Sequence, residues 1–149
     1  MNIHRKEAWD KVTGRAKYTD DFPAAGYLCA RLVTSTRAHA RILSIDASKA
    51  LSLKGVAAVV TGADCAALFG PLLQDRPALA RGIVRYAGEP VALCVAVDEP
   101  TAQAAARLVA VEYADLPVTL TPAESLAAKA APIHEDLAFY RRVMPDVRP

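Results

Sequence analysis

Charge of one sign is nearly absent: 18 Lys and Arg stand against 16 Asp and Glu, a net of +2. That excess is too small to grip a phosphate backbone, so a general nucleic-acid role is excluded. Residues 1–41 hold eight basic against four acidic residues, but as a mixed-sign strip, the pattern of a solvated surface. Cysteine is scarce, and Cys29, Cys65 and Cys94 form no CxxC pair, which excludes a zinc knuckle or a dithiol redox centre. No hydrophobic run approaches the roughly 20 residues of a membrane span, and Met1 to Asp10 alternates charge with isolated apolar residues, unlike a signal peptide. The three histidines, His4, His39 and His134, are far apart, and none has the i, i+4 partner of a helical metal motif. Gly14 and Gly88 are single glycines, too few to converge backbone N–H groups on a phosphate. Glu112 and Asp115 could meet as paired carboxylates, but they flank a strand end and read as ordinary surface charges.

What is present is a foldable chain. Its 149 residues are 53% hydrophobic and 23% charged, enough for one ordinary core. The free thiols, with Cys29 and Cys94 inside apolar runs, read as small buried hydrophobes in a reducing compartment, so a soluble, cytoplasmic protein without membrane or nucleic-acid partners is expected.

Residues 1–26, broken by Gly14, Pro23 and Gly26, read as an extended leader with turns. Tyr27 to Thr34 is the first strand, with Leu28, Ala30 and Leu32 on one face and Tyr27, Cys29 and Arg31 on the other. Ala40 to Asp46 is a second strand, and Ser48 to Leu53 a short helix closed by Gly55. Gly55 to Thr61 is a continuous apolar run, the pattern of a central strand covered on both faces. Thr61 to Ala67 suggests a short helical turn led by Asp64, and Phe69 to Ala80 a loop. Ile83 to Tyr86 and Val91 to Val97, joined through Gly88-Glu89-Pro90, read as a buried hairpin.

Asp98 caps a helix whose inner face is Ala102, Ala105, Ala106 and Val109, with Pro100 in its first turn. A strand over Val109 to Tyr113 follows, and Thr121 with Glu124 forms a capping box opening a last helix that Leu126 and Ala130 continue. The fold class is α+β, a mixed β-sheet with two to three packed helices, divided as leader 1–26, domain 27–132 and tail or linker 133–149. Trp9, alone in the leader, is either an anchor for a partner or folded back on its own domain.

Several segments share one resemblance: Lys11 to Tyr18 with Asp20-Asp21, Ala38 to Ile42 with Ile45-Asp46, Gly55 to Val59, Val84 to Ala92, and Val111 to Tyr113 with Leu116-Pro117. Together they resemble the N-terminal α/β-hammerhead domain of the molybdenum-binding subunit in the xanthine dehydrogenase and aldehyde oxidase family, over residues 8–137. Thr36-Arg37 depart from the proline and histidine common in that family. The resemblance implies an oxidoreductase that hydroxylates N-heterocycles or aldehydes with water, at molybdenum held by molybdopterin. It also implies iron-sulfur clusters and FAD on partner subunits. The family's pterin loops and essential glutamate lie beyond this domain, so no catalytic, cofactor or metal residue is carried over, and the isolated chain is expected to be inactive. Trp9, Arg15, Arg37, His39 and Glu89 are the candidate partner interface. The alternative is a free-standing protein-interaction module that uses the same fold without a molybdoenzyme.

Overall fold

The computed structural model describes residues 5–22, 25–70 and 74–127. Two apolar runs compete for the centre of the main sheet, and the one over β7 (Pro90–Ala96) occupies it. β7 pairs antiparallel with β1 (Cys29–Thr34) on one side and β3 (Val56–Thr61) on the other. The Gly55 to Thr61 run therefore forms an edge strand where the sequence suggested a central one. Both runs are apolar enough to be covered, and only long-range pairing decides which is flanked twice.

A second antiparallel sheet orders β6 (Ile83–Val84), β2 (Ala40–Asp46) and β8 (Ala110–Asp115). The register of β2 against β8 shifts between Ile42 and Ser44, which leaves Leu43 out of the ladder and exposed. β4 (Leu68–Phe69) and β5 (Arg76–Pro77) make a short third pair inside the stretch read as a loop. The α+β class holds, with antiparallel sheets in place of one mixed sheet.

The expected hairpin over residues 83–97 does not form. β6 and β7 lie in different sheets, because the linking segment gives its backbone bonds to the corner after β1: Ser35 N–H donates to the Glu89 carbonyl and Gly88 N–H to the Ser35 carbonyl, both at 2.8 Å. Val84 and Val91, at either end of that link, join Ala40 and Ala80 in one core cluster. Val33 is packed against this cluster and against a second one, Ala50, Cys94 and Ala105, so it joins the two.

α3 (Glu99–Leu108) lies against the sheet through Ala102 and Ala105, both fully buried. The alternation of β1 turns Cys29, Arg31 and Val33 toward this helix, where Arg31 pairs with Glu99. Leu28 and Leu32, the larger apolar residues, are left 52% and 51% exposed.

The helix ends follow the sequence closely. Asp98 accepts from Thr101 N–H at 2.8 Å and caps α3. In α4 (Pro122–Leu126) Thr121 Oγ1 accepts from Glu124 N–H while Glu124 accepts from Thr121 N–H, each at 3.2 Å. Two ends differ. α2 (Ser48–Leu51) is shorter than expected, and its N-cap position is Ala47, not Ser48; Asp46 just before it accepts Ser48 N–H at 2.9 Å. No helix forms after Thr61; Asp64 reaches back to accept the Thr61 N–H and hydroxyl at 2.8 and 2.9 Å, closing a turn instead.

The leader also departs from expectation. α1 (Ala8–Val12) and a 3-10 turn (Thr19–Asp21) stand where an extended chain was read, supported by the Glu7 to Lys11 pair at 3.2 Å and ended by Gly14 at φ +71°. Ala130, His4, His134 and the tail 133–149 lie outside the described residues.

Hydrogen bonds hold the carboxylates of Asp46, Asp64, Asp98 and Glu124 below the usual carboxylate range, the donors being Ser48, Thr61, Thr101 and the Leu120 and Thr121 amides respectively. A depressed folded-state pKa stabilises above the unfolded value, and that stabilisation is lost as pH falls through the folded one. Thermal melts should thus hold steady from about pH 7 to about 5 and drop below about pH 4. D98N, which keeps an acceptor at the cap without the charge, should flatten part of that drop. An unchanged acid limb in D98N would refute the role of Asp98.

Candidate functional site

The corner after β1 is where backbone, buried polar groups and a cleft meet. Ser35 is buried; its hydroxyl donates to the Arg37 carbonyl at 2.9 Å and accepts Arg37 N–H at 3.0 Å, folding the chain back before β2. Opposite it, Glu89 is 6% exposed and its carboxylate accepts the Arg85 N–H, so the side chain closes its own turn from inside. Arg85 Nε is buried without a hydrogen-bond partner among the described residues. A cleft of about 670 Å³ opens beside Arg85, Tyr86, Glu89 and Pro90, with Phe69, Gly70 and residues 75–78 as its far wall.

Three of the five proposed interface residues meet at this corner. Arg37 Nε stands 3.6 Å from Asp115. His39 is half-buried, and its Nδ1–H donates to the Pro117 carbonyl at 2.6 Å, while its own carbonyl accepts Leu116 N–H at 2.9 Å. Those bonds tie the end of β8 to the start of β2 and give the ring an orienting role. Glu89 is the third. Trp9 and Arg15 are elsewhere: among the described residues, the hydrogen bonds and ion pairs of 5–22 are all local to that stretch. Trp9 is 66% exposed, so it does not fold back into the core.

Glu112 and Asp115 do not act together. Three residues apart in a strand they face opposite ways; Glu112 accepts the Ser44 hydroxyl at 3.0 Å and Asp115 faces Arg37. Among the described residues no three His, Cys, Asp or Glu come together as a metal site. No helix among them is long and apolar enough to cross a membrane.

Sequence reasoning missed Ser35, Arg85 and the cleft wall at Phe69 and Arg76. Arg85 and Glu89 flank a glycine turn at i, i+4, a spacing that hints at a side chain closing its own loop. Nothing local ties Ser35 to that turn.

Cys94 is fully buried and burial pushes its thiol pKa up, whereas Cys29 and Cys65 are half-buried. A thiol-disulfide reagent at pH 8 should modify Cys29 and Cys65 in the native protein and Cys94 only after denaturant is added. Simultaneous reaction of all three would contradict the packing of β7 against α3.

The a/b hammerhead domain family of aldehyde oxidase and xanthine dehydrogenase matches residues 13–117. This chain belongs to that family. It is 44% identical over 143 residues to the xanthine dehydrogenase molybdenum-binding subunit of Escherichia coli O157:H7, covering 87% of this chain and 19% of that protein. The solved Cu,Mo-CO dehydrogenase in its carbon monoxide-reduced state superposes with a TM-score of 0.83 at 37% identity, over 91% of this chain and 18% of that one. Aldehyde oxidoreductase from Desulfovibrio gigas gives a TM-score of 0.76 at 34% identity, over 88% and 16% respectively. The chain thus spans about a fifth of the length of the curated relative, and the hammerhead fold expected from the sequence is the one observed.

Proposed function

We propose that this chain works as the hammerhead part of a molybdenum hydroxylase, a scaffold that docks to the body holding molybdopterin-bound molybdenum and contributes no catalytic group itself. The complete enzyme would hydroxylate an N-heterocycle or an aldehyde with water, passing electrons through iron-sulfur and flavin subunits. The observation that carries this reading is the inversion of size between core and surface. Among the described residues the largest fully buried side chains are Val84, Val91 and Cys94, while Trp9, Phe22, Tyr27, Leu28 and Leu32 stand exposed. A chain that places its aromatic and leucine side chains outside has apolar surface to bury against another body.

Trp9, Arg15 and Arg37 are the proposed contacts, with His39 and Glu89 holding the loops of the Ser35 corner in shape. The free thiols fit a cytoplasmic setting.

Purification through a tag from the protein's own cells, followed by native mass spectrometry and metal analysis, tests the reading. A molybdenum-containing assembly is expected, with the isolated 149-residue chain free of molybdenum. Stoichiometric molybdenum on the isolated chain, or native recovery without any molybdenum polypeptide, would overturn it, the latter in favour of a free-standing interaction module.

A further inference from the structure

β1 ends the main sheet, and its outer edge carries no strand among the described residues. Apart from the ladder to β7, the backbone of residues 29–34 makes no hydrogen bond to a loop or cap among the described residues. An uncovered edge of six residues is a template for strand addition, and proteins that keep one without a bulge, proline or covering loop usually fill it in the assembled state. The register shift of β1 lies only at its last step, between Val33 and Thr34, so the edge from Cys29 to Val33 is regular.

The surroundings of that edge define what would fit. A groove of about 360 Å³ runs between residues 31–34 of β1 and Gln103, Ala106 and Arg107 of α3. Two arginines line it and no acidic residue does. Arg31 is already paired with Glu99, whereas Arg107 has no ion-pair partner among the described residues. On the other face of the strand Leu32 is half exposed, and Leu28 just before it is likewise exposed. An added strand would lay one apolar side chain beside Leu32 and, from the alternate position, one side chain over the groove toward Arg107.

We propose that β1 accepts an extended segment of the molybdenum-binding body as a fourth strand of this sheet, with a carboxylate of that segment paired to Arg107. The proposal rests on the functional reading above and adds the element, the binding mode and the charge of the partner. Main-chain bonds along β1 supply the affinity; Leu32 and Arg107 supply register and choice of partner.

The test compares amide deuterium uptake of the β1 peptide in the tag-purified native assembly and in the isolated 149-residue chain. At least about tenfold slower exchange in the assembly is expected, as for amides moved from an open edge into a ladder. Arg107→Glu is expected to remove most of that protection. Arg107→Gln, which places no negative charge at the C-terminal end of α3, should give a smaller loss in the same direction.

Equal β1 exchange in both preparations, with protection elsewhere in the chain, would overturn the strand addition and leave the functional reading standing. Protection that neither Arg107 variant alters would overturn the acidic partner. An isolated chain that sediments as a dimer with β1 already protected would assign the edge to a second copy and overturn the proposal. Absence of any larger assembly would remove the functional reading and this one together.

Discussion

Gly62→Ala is expected to destabilise the protein by about 3 kcal/mol, a large part of the stability of a domain this size. Gly62 is buried in the turn after β3, and a methyl group there would be driven into the Ala80 carbonyl and onto the Arg81 side chain. The Ala80 backbone cannot retreat easily. Its N–H donates to the Pro90 carbonyl at 2.7 Å, and its side chain belongs to the cluster with Ala40, Val84 and Val91. The change should lower Tm by roughly 10 °C, read by circular dichroism. Gly88→Ala is the comparison. Gly88 has φ +90° and open space around it, so only backbone strain applies, about 1 kcal/mol. If both variants melt alike, close approach at Gly62 is not the cause.

Glu89→Ala carries the second large effect, about 2 kcal/mol, because it strips the acceptor from the Arg85 N–H inside a turn whose other side is the buried Ser35. Glu89→Gln keeps an oxygen in place and should recover more than half of the loss. The two main-chain bonds between Ser35 and residues 88 and 89 remain in either variant, so the damage should be local. Faster amide exchange is expected at Arg85 and Ser35 and not in β8. Equal stability of the alanine and glutamine variants would show that the Arg85 bond contributes nothing and that Glu89 is held by packing alone.

The same two residues show how far local sequence reaches. Glu89 stood out beside Gly88 and Pro90, and a turn there was legible because glycine and proline restrict the backbone whatever surrounds them. Which partner the turn would bind was not legible. A hairpin was the simplest account of two apolar runs around a tight turn, yet the turn bonds to Ser35, more than fifty residues earlier, and sends β6 and β7 into separate sheets. Trp9 was legible as an oddity, an indole among charges, but only the fold placed it two-thirds in solvent. The short helix α1 was missed because five residues with a weak charge pair give no period to count.

Sequence alone determined the helix caps at Asp98 and Thr121, the alanine face of α3, the strand over Ala40 to Asp46 and the family itself. Each is set by residues within a few positions of one another or by a string of short motifs in fixed order. Tertiary structure alone decided that β7 and not β3 holds the centre, that Leu28 and Leu32 face outward while Cys29 and Val33 face α3, and that β1 keeps an open edge among the described residues. The physical reason is that a strand's two faces and two edges are equivalent in its own sequence. They become different only when other strands and a helix compete to cover them.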